Sequence, residues 1–169
     1  MTPKHEPKEN VVGWLAGLFA VLVIGAALFP AYGNQKGYAK RTQCFSNLKQ
    51  VGIGFALYTS DNEGWMPPSA AWIDELKPYT KSEELFDCSV AGRYGYAMNE
   101  ALTQATVEKW STERAAETPV AFESVTIGRS VVGSLQLLPR APRHGSVNNI
   151  AYVDGHAKGV RQGSIFNSL

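Results

Sequence analysis

The side chains best suited to chemistry in this sequence are His144, Asp154 and His156, gathered towards the C-terminal end, and the cysteines Cys44 and Cys88. An imidazole beside a carboxylate can move a proton, and two histidines with an aspartate can ligate a cation. Zinc, however, wants three or four donors in a tetrahedral array. The cysteines lie far off in sequence, and Asp154 and His156 flank Gly155 in what reads as a turn. Aspartate in a turn commonly serves its own backbone through short hydrogen bonds. The expectation is therefore structural: no catalytic residue, no metal site and no cofactor, with His144 hydrogen-bonding near the turn and tying the incoming loop to it. No G-x-S-x-G elbow, P-loop, H-E-x-x-H or glycine-rich dinucleotide turn is present. Trp65, Trp72, Tyr94 and Tyr96 would make an aromatic binding surface if they gathered, but such residues more often pack loops and cores.

Cys44 and Cys88 invite a disulfide if the domain carrying them is exported. Such a bridge would close a long loop, for about 3–4 kcal/mol in the chain-entropy model. The alternative is a pair of buried thiols packing as small hydrophobes. Without Cys-x-x-Cys spacing, a redox role is not expected.

Lys plus Arg number 16 and Asp plus Glu 15, so the net charge of +1 leaves no electrostatic footprint for nucleic acid. With 44% apolar and 18% charged residues the chain has the means to build a core. The apolar residues are unevenly spread. Val11 to Tyr32 carries no charged side chain, and as a helix would run about 33 Å, enough to cross a hydrocarbon core. A retained transmembrane anchor over 11–32, behind a cytoplasmic tail at 1–10, is the preferred reading. A cleaved signal peptide, with Gly25-Ala26-Ala27 as a weak cleavage site, and a buried soluble helix are its rivals. Lys36, Lys40 and Arg41 outnumber Lys4 and Lys8, which by the positive-inside rule would keep the larger part in the cytoplasm. Gly13 and Gly17 form a GxxxG pair that can let two helices approach closely, although glycine is common in membrane helices.

Beyond the span the sequence turns polar but keeps helical spacing. Cys44, Leu48, Val51, Phe55 and Tyr58 draw one apolar stripe, widened by Phe45 and Gly52, so the helix is expected to continue over 33–60. Pro30 would kink it, and Asp61 to Gly64 with Pro67-Pro68 would end it. Ser69 is placed to cap a short helix, AAWIDELKPY, that Pro78 stops. The stretch from Cys88 through Tyr96 reads as loop, and Ala105 to Ala115 as a weakly periodic helix. Strands are expected over 117–161: Pro119 to Val125, Ser130 to Leu138, and a hairpin NIAYV-DG-HAKGV with Asp154-Gly155 as a two-residue type I′ turn. The fold class expected is α+β, a small antiparallel sheet burying one face on the amphipathic half of the long helix.

Three ordered blocks resemble the bacterial type IV pilin-like proteins, specifically the group named for a C-terminal H-X9-DG motif. These are Ala27 to Pro68, Leu76 to Cys88 followed by YGYAMN, and Arg143 to Val160, where His144 precedes Asp154-Gly155 at the motif's spacing. The resemblance implies a pilin fold with its head exported across the bacterial cytoplasmic (inner) membrane. It also implies partners among other pilin-like subunits or secretion-system proteins. Such proteins, including the pseudopilins of type II secretion, pack their helices into filaments.

The chain departs from that pattern at its start. Lys8 and Gly13 stand where the family places the glycine cut by prepilin peptidase and the glutamate that pairs with a neighbouring subunit's amino terminus. A lone carboxylate in hydrocarbon is costly and needs such a partner; without it the anchor is simply a stable span. The function implied is an uncut, single-pass pilin-like structural or assembly component of a type II secretion or type IV pilus-like system. The alternative is a non-polymerising binding module anchored on the outer side of the membrane. In the second block Ser89 follows Cys88 where the family often has proline.

Overall fold

The computed structural model describes residues 10–108 and 110–161, without the side chains of 30–36. The residues Lys4 and Lys8, and the side chains of Pro30 at the expected kink and of Lys36, lie outside the described part. The first element, α1, is a helix of 51 residues, Val11–Asp61. The chain divides into a unit up to Gly37 and a unit from Tyr38 onwards.

In the first unit, Val11–Phe29 is long and apolar enough to cross a membrane, and none of it is buried. Trp14, Leu15, Leu18, Phe19 and Leu22 are all exposed, so the helix is apolar all round, as a helix solvated by lipid can be. Among the described residues a Cβ at Gly17 would meet no atom and one at Gly13 only Asn10 Cβ, at an ordinary 3.7 Å, which leaves the Gly13–Gly17 face open.

In the second unit, the predicted stripe is the spine of the core: Cys44, Leu48, Val51 and Phe55 are fully buried and Tyr58 nearly so. Asn62 ends the helix by returning both its backbone N–H and its side-chain amide to the carbonyl of Tyr58, at 3.0 and 2.8 Å. Glu63 and Gly64 then take left-handed φ angles and turn the chain. Helix α2 spans Trp72–Thr80, with Ala71 rather than Ser69 at its N-cap and no side-chain cap. Pro78 sits inside it rather than stopping it, and Thr80 Oγ1 and the N–H of left-handed Lys81 donate to the carbonyls of Leu76 and Lys77 and close the last turn. The anticipated helix at Ala105 to Ala115 is the shorter and later α3, Thr112–Glu117, capped by Ser111 Oγ.

Five strands form one sheet: β1 Tyr96–Asn99, β2 Pro119–Glu123, β3 Val132–Gly133, β4 Val147–Tyr152 and β5 Ala157–Arg161. Their order is β3-β1-β2-β4-β5, antiparallel except for the short β1–β3 pairing. The architecture is mixed α+β, with a long apolar N-terminal helix and a small, mostly antiparallel sheet. Alternation sorts the two faces. Tyr96, Met98, Ala121 and Ala151 join the cluster around α1, while Ala97, Phe122 and Ile150 join a second cluster on the other side.

Three sequence expectations are corrected here. Tyr96, read as the end of a loop, opens β1, Tyr96–Asn99, which no sequence expectation marked as a strand and which is buried on both faces. Ser130 to Leu138 is not one strand: β3 pairs over two residues and Leu135–Leu137 then makes a 3-10 turn. Leu135, Leu137 and Leu138 thereby cover the far face of the sheet instead of extending it. The hairpin loop has three residues rather than two. Gly155 alone in the loop has positive φ, its N–H bonds the carbonyl of Tyr152, and Tyr152 N–H bonds the carbonyl of His156. That is a type I turn with a glycine bulge, which asks for a left-handed backbone at the glycine only. The loop lies on α1 where a side chain would not fit: a Cβ at Gly52 would stand 3.0 Å from Ala151 Cβ and 3.4 Å from the carbonyl oxygen of Gly155.

Candidate functional site

The register places Tyr96, Glu123 and Asn149 in one row across β1, β2 and β4, on the face towards α1. Tyr96 is the partner of Glu123, and Ala121, two residues before Glu123, pairs with Ala151, two beyond Asn149. Above this row α1 delivers Cys44. The chain after the 3-10 turn Glu83–Phe86 delivers Cys88, whose N–H and C=O both pair with Gly92 at 3.0 and 2.7 Å. His144 enters from the approach to β4, held by a bridge to Val147. All six side chains are buried: Cys44, Cys88 and Glu123 have no exposure, and Tyr96, Asn149 and His144 have 3% or less.

Buried polar groups must find partners, and most of these do. Asn149 donates from its backbone N–H and its side-chain amide to the two oxygens of Glu123, at 3.1 and 2.8 Å. His144 Nε2 stands 2.9 Å from Glu123 Oε1 and 3.5 Å from Cys88 Sγ. The two sulfurs are 3.0 Å apart. Ser89 donates its backbone N–H to Cys44 Sγ at 3.1 Å, a bond that proline at this position could not make. Tyr96 donates its hydroxyl to the carbonyl of Cys44 at 3.0 Å. His144 Nδ1 is buried without a partner among the described residues.

The electrostatics follow from these contacts. The Cys88 thiol, then His144 and Ser89, favour the Cys44 thiolate against burial and hold it well below the ordinary thiol range. The same proximity, with burial, pushes Cys88 up. His144 is raised to about 9 by Cys44 first and Glu123 second, against its desolvation. Burial raises Tyr96, with Cys44, Cys88 and Glu123 adding to it. The knot is thus electron-rich, closed to solvent, and able to share protons among two sulfurs, an imidazole and a carboxylate. Chemically it can close a cystine or hold a soft cation. Both use the same sulfur lone pairs and exclude each other.

The sequence-derived grouping of His144 with Asp154 and His156 separates in space. Asp154 Oδ1 meets His156 Nδ1 at 2.6 Å and accepts its backbone N–H at 3.0 Å, while the imidazole stacks on Tyr152 at 4.3 Å. This pair sits at the surface and ties the turn to itself. His144 instead bonds within the core, to Glu123 and towards Cys88, so it does not fasten the Asp154-Gly155 turn. The aromatic residues also part: Trp72 and Tyr96 are core, Trp65 is 51% exposed, and Tyr94 joins an ion network. In that network Glu83 is the acceptor for Tyr94 and Arg129, with Lys77 at 2.6 Å. Glu123 and Asn149 have no counterpart among the sequence candidates. Their signal was a charged and an amide side chain at inward positions of predicted strands.

Compared with known proteins, the chain matches no family model, no curated protein and no solved structure.

Proposed function

We propose that this chain is a membrane-anchored, pilin-like structural or assembly component of a type II secretion or type IV pilus-like system. In this reading the apolar span sits uncut in the bacterial inner membrane and the sheet-bearing unit lies outside the cytoplasm. The observation that carries it is helix α1. Val11–Phe29 is wholly exposed and apolar, whereas the stripe from Cys44 to Tyr58 is buried under the sheet. One helix that serves lipid with one part and a folded head with the other is the division of labour that pilin-like subunits use. The three ordered sequence blocks support the same reading. The open Gly13–Gly17 face offers a place for a second helix.

Chemical crosslinking in intact cells, followed by identification of the adducts, tests it. Adducts to other single-pass subunits of the same build are expected through the first unit. A chain that stays monomeric at native abundance and saturably binds an envelope polysaccharide or protein would favour the non-polymerising anchored module instead. A head protected from impermeant reagents in intact cells would overturn the proposed orientation.

A further inference from the structure

We propose that Cys44 Sγ, Cys88 Sγ and His144 Nε2 form a binding site for a thiophilic cation of the zinc class, with the Glu123 carboxylate as the adjoining oxygen donor. The three ligand atoms lie within 4.8 Å of one another and all three residues are buried. They come from three separate places in the chain: the long helix, the turn after Phe86 and the approach to β4. Two thiolates and an imidazole form a borderline-to-soft donor set, which selects zinc or copper(I) over calcium or magnesium.

The distances are close to those such an ion needs. A tetrahedral ion 2.3 Å from a sulfur and about 2 Å from a nitrogen holds the two about 3.5 Å apart, and Cys88 Sγ to His144 Nε2 is 3.5 Å. It would hold two sulfurs about 3.8 Å apart, so the pair now at 3.0 Å must open by rotation of the cysteine side chains. Glu123 Oε1, at 2.9 Å from Nε2, is the nearest fourth donor, and both bonds from Asn149 fix its carboxylate. A cystine would need a closure of similar size in the opposite direction.

The remaining residues decide between the two. A cystine is neutral and uses neither His144 nor Glu123; these would stay bonded to each other and, through Glu123, to Asn149, as a buried pair that adds little stability. A cation employs all four. This inference concerns the folded head alone and does not depend on the proposed assembly role.

Cobalt(II), added to the reduced, detergent-solubilised full chain under anaerobic conditions, is the probe. The chain contains two cysteines, so a thiolate-to-cobalt charge-transfer band has no other source. One equivalent of cobalt is expected to saturate that band, with d–d absorption of tetrahedral intensity, and zinc should displace it one for one. Glu123→Gln, which takes the charge from the fourth donor, should weaken binding by at least the ~10–100-fold that losing an outer partner of a ligand costs. Cys88→Ser should lower the charge-transfer intensity, and His144→Ala should shift the d–d bands. A folded, fully reduced chain that shows no charge-transfer band at one equivalent overturns the proposal. So does a titration unchanged by Cys88→Ser. The wild-type spectrum decides the matter even if the variants fail to fold.

Discussion

Replacing Phe55 by alanine should separate the two faces of α1 within the head. The Phe55 ring is fully buried, stacks on Trp72 at 5.5 Å with an interplanar angle of 23°, and Trp72 in turn meets Phe86 edge-on at 5.5 Å. Truncation removes a large apolar surface and one member of an aromatic pair, and leaves a cavity that the surrounding helix and sheet can only partly close. The expected loss is about 3–5 kcal/mol, the range for Phe→Ala in a packed core. Ile53 and Leu57, on the same helix but 42% and 47% exposed, provide the internal control. Each to alanine should cost less than about 1 kcal/mol. Urea unfolding of the detergent-solubilised chain, followed by tryptophan fluorescence, reads both. The Phe55→Ala midpoint should fall steeply at unchanged slope, and the controls should stay near wild type. Equal losses on the two faces would refute the packing of this stretch of helix into the core of the head.

Gly52→Val should destabilise the head by prising the hairpin from α1, since even its Cβ meets Ala151 Cβ at 3.0 Å; a drop in melting temperature larger than for Gly37→Val, where a Cβ meets nothing among the described residues, checks it. Gly155→Val should cost about 1 kcal/mol or more, because a β-branched residue must hold φ near +88°, and the same melting comparison reads it. Glu83 is held down to about 2, from 4.5, by Lys77 first, then Tyr94 and Arg129. A depressed carboxylate lends stability above its unfolded value and loses it as the pH falls, so the acid limb between about pH 4.5 and 2 should flatten in Glu83→Gln, measured as melting temperature against pH. Glu123→Ala, in metal-free protein, should cost about 3–5 kcal/mol in urea unfolding, because it strands His144 and both Asn149 donors in the core.

The parts of the fold governed by local rules were legible. The stripe Cys44-Leu48-Val51-Phe55-Tyr58 appears on the core face because helical spacing alone aligns those residues. The chain reversal at Asp154-Gly155 was legible for the same reason. Its turn type was not, because the Tyr152–His156 pairing and a single left-handed glycine fix the loop at three residues. Strand β1 was hidden by the glycines and tyrosines that precede it, and only pairing with β2 and β3 makes Tyr96–Asn99 a strand. Ser130 to Leu138 has strand-like composition, yet its leucines are recruited to cover the second face of the sheet. The site was the least legible part. Cys44, Cys88, Glu123, His144 and Asn149 are brought together only by the sheet register and by the docking of α1, both long-range. Spacing in sequence instead suggested His144 with Asp154 and His156, which are near in number and apart in space.

The most direct test of the account is the intact mass of the protein recovered from the membrane fraction after alkaline extraction. A mass that includes Val11–Phe29, found in the membrane pellet together with the folded head, is the predicted result. A head recovered in the soluble fraction, at a mass from which those residues have been cut, would contradict the claim that this helix anchors the domain it helps to build.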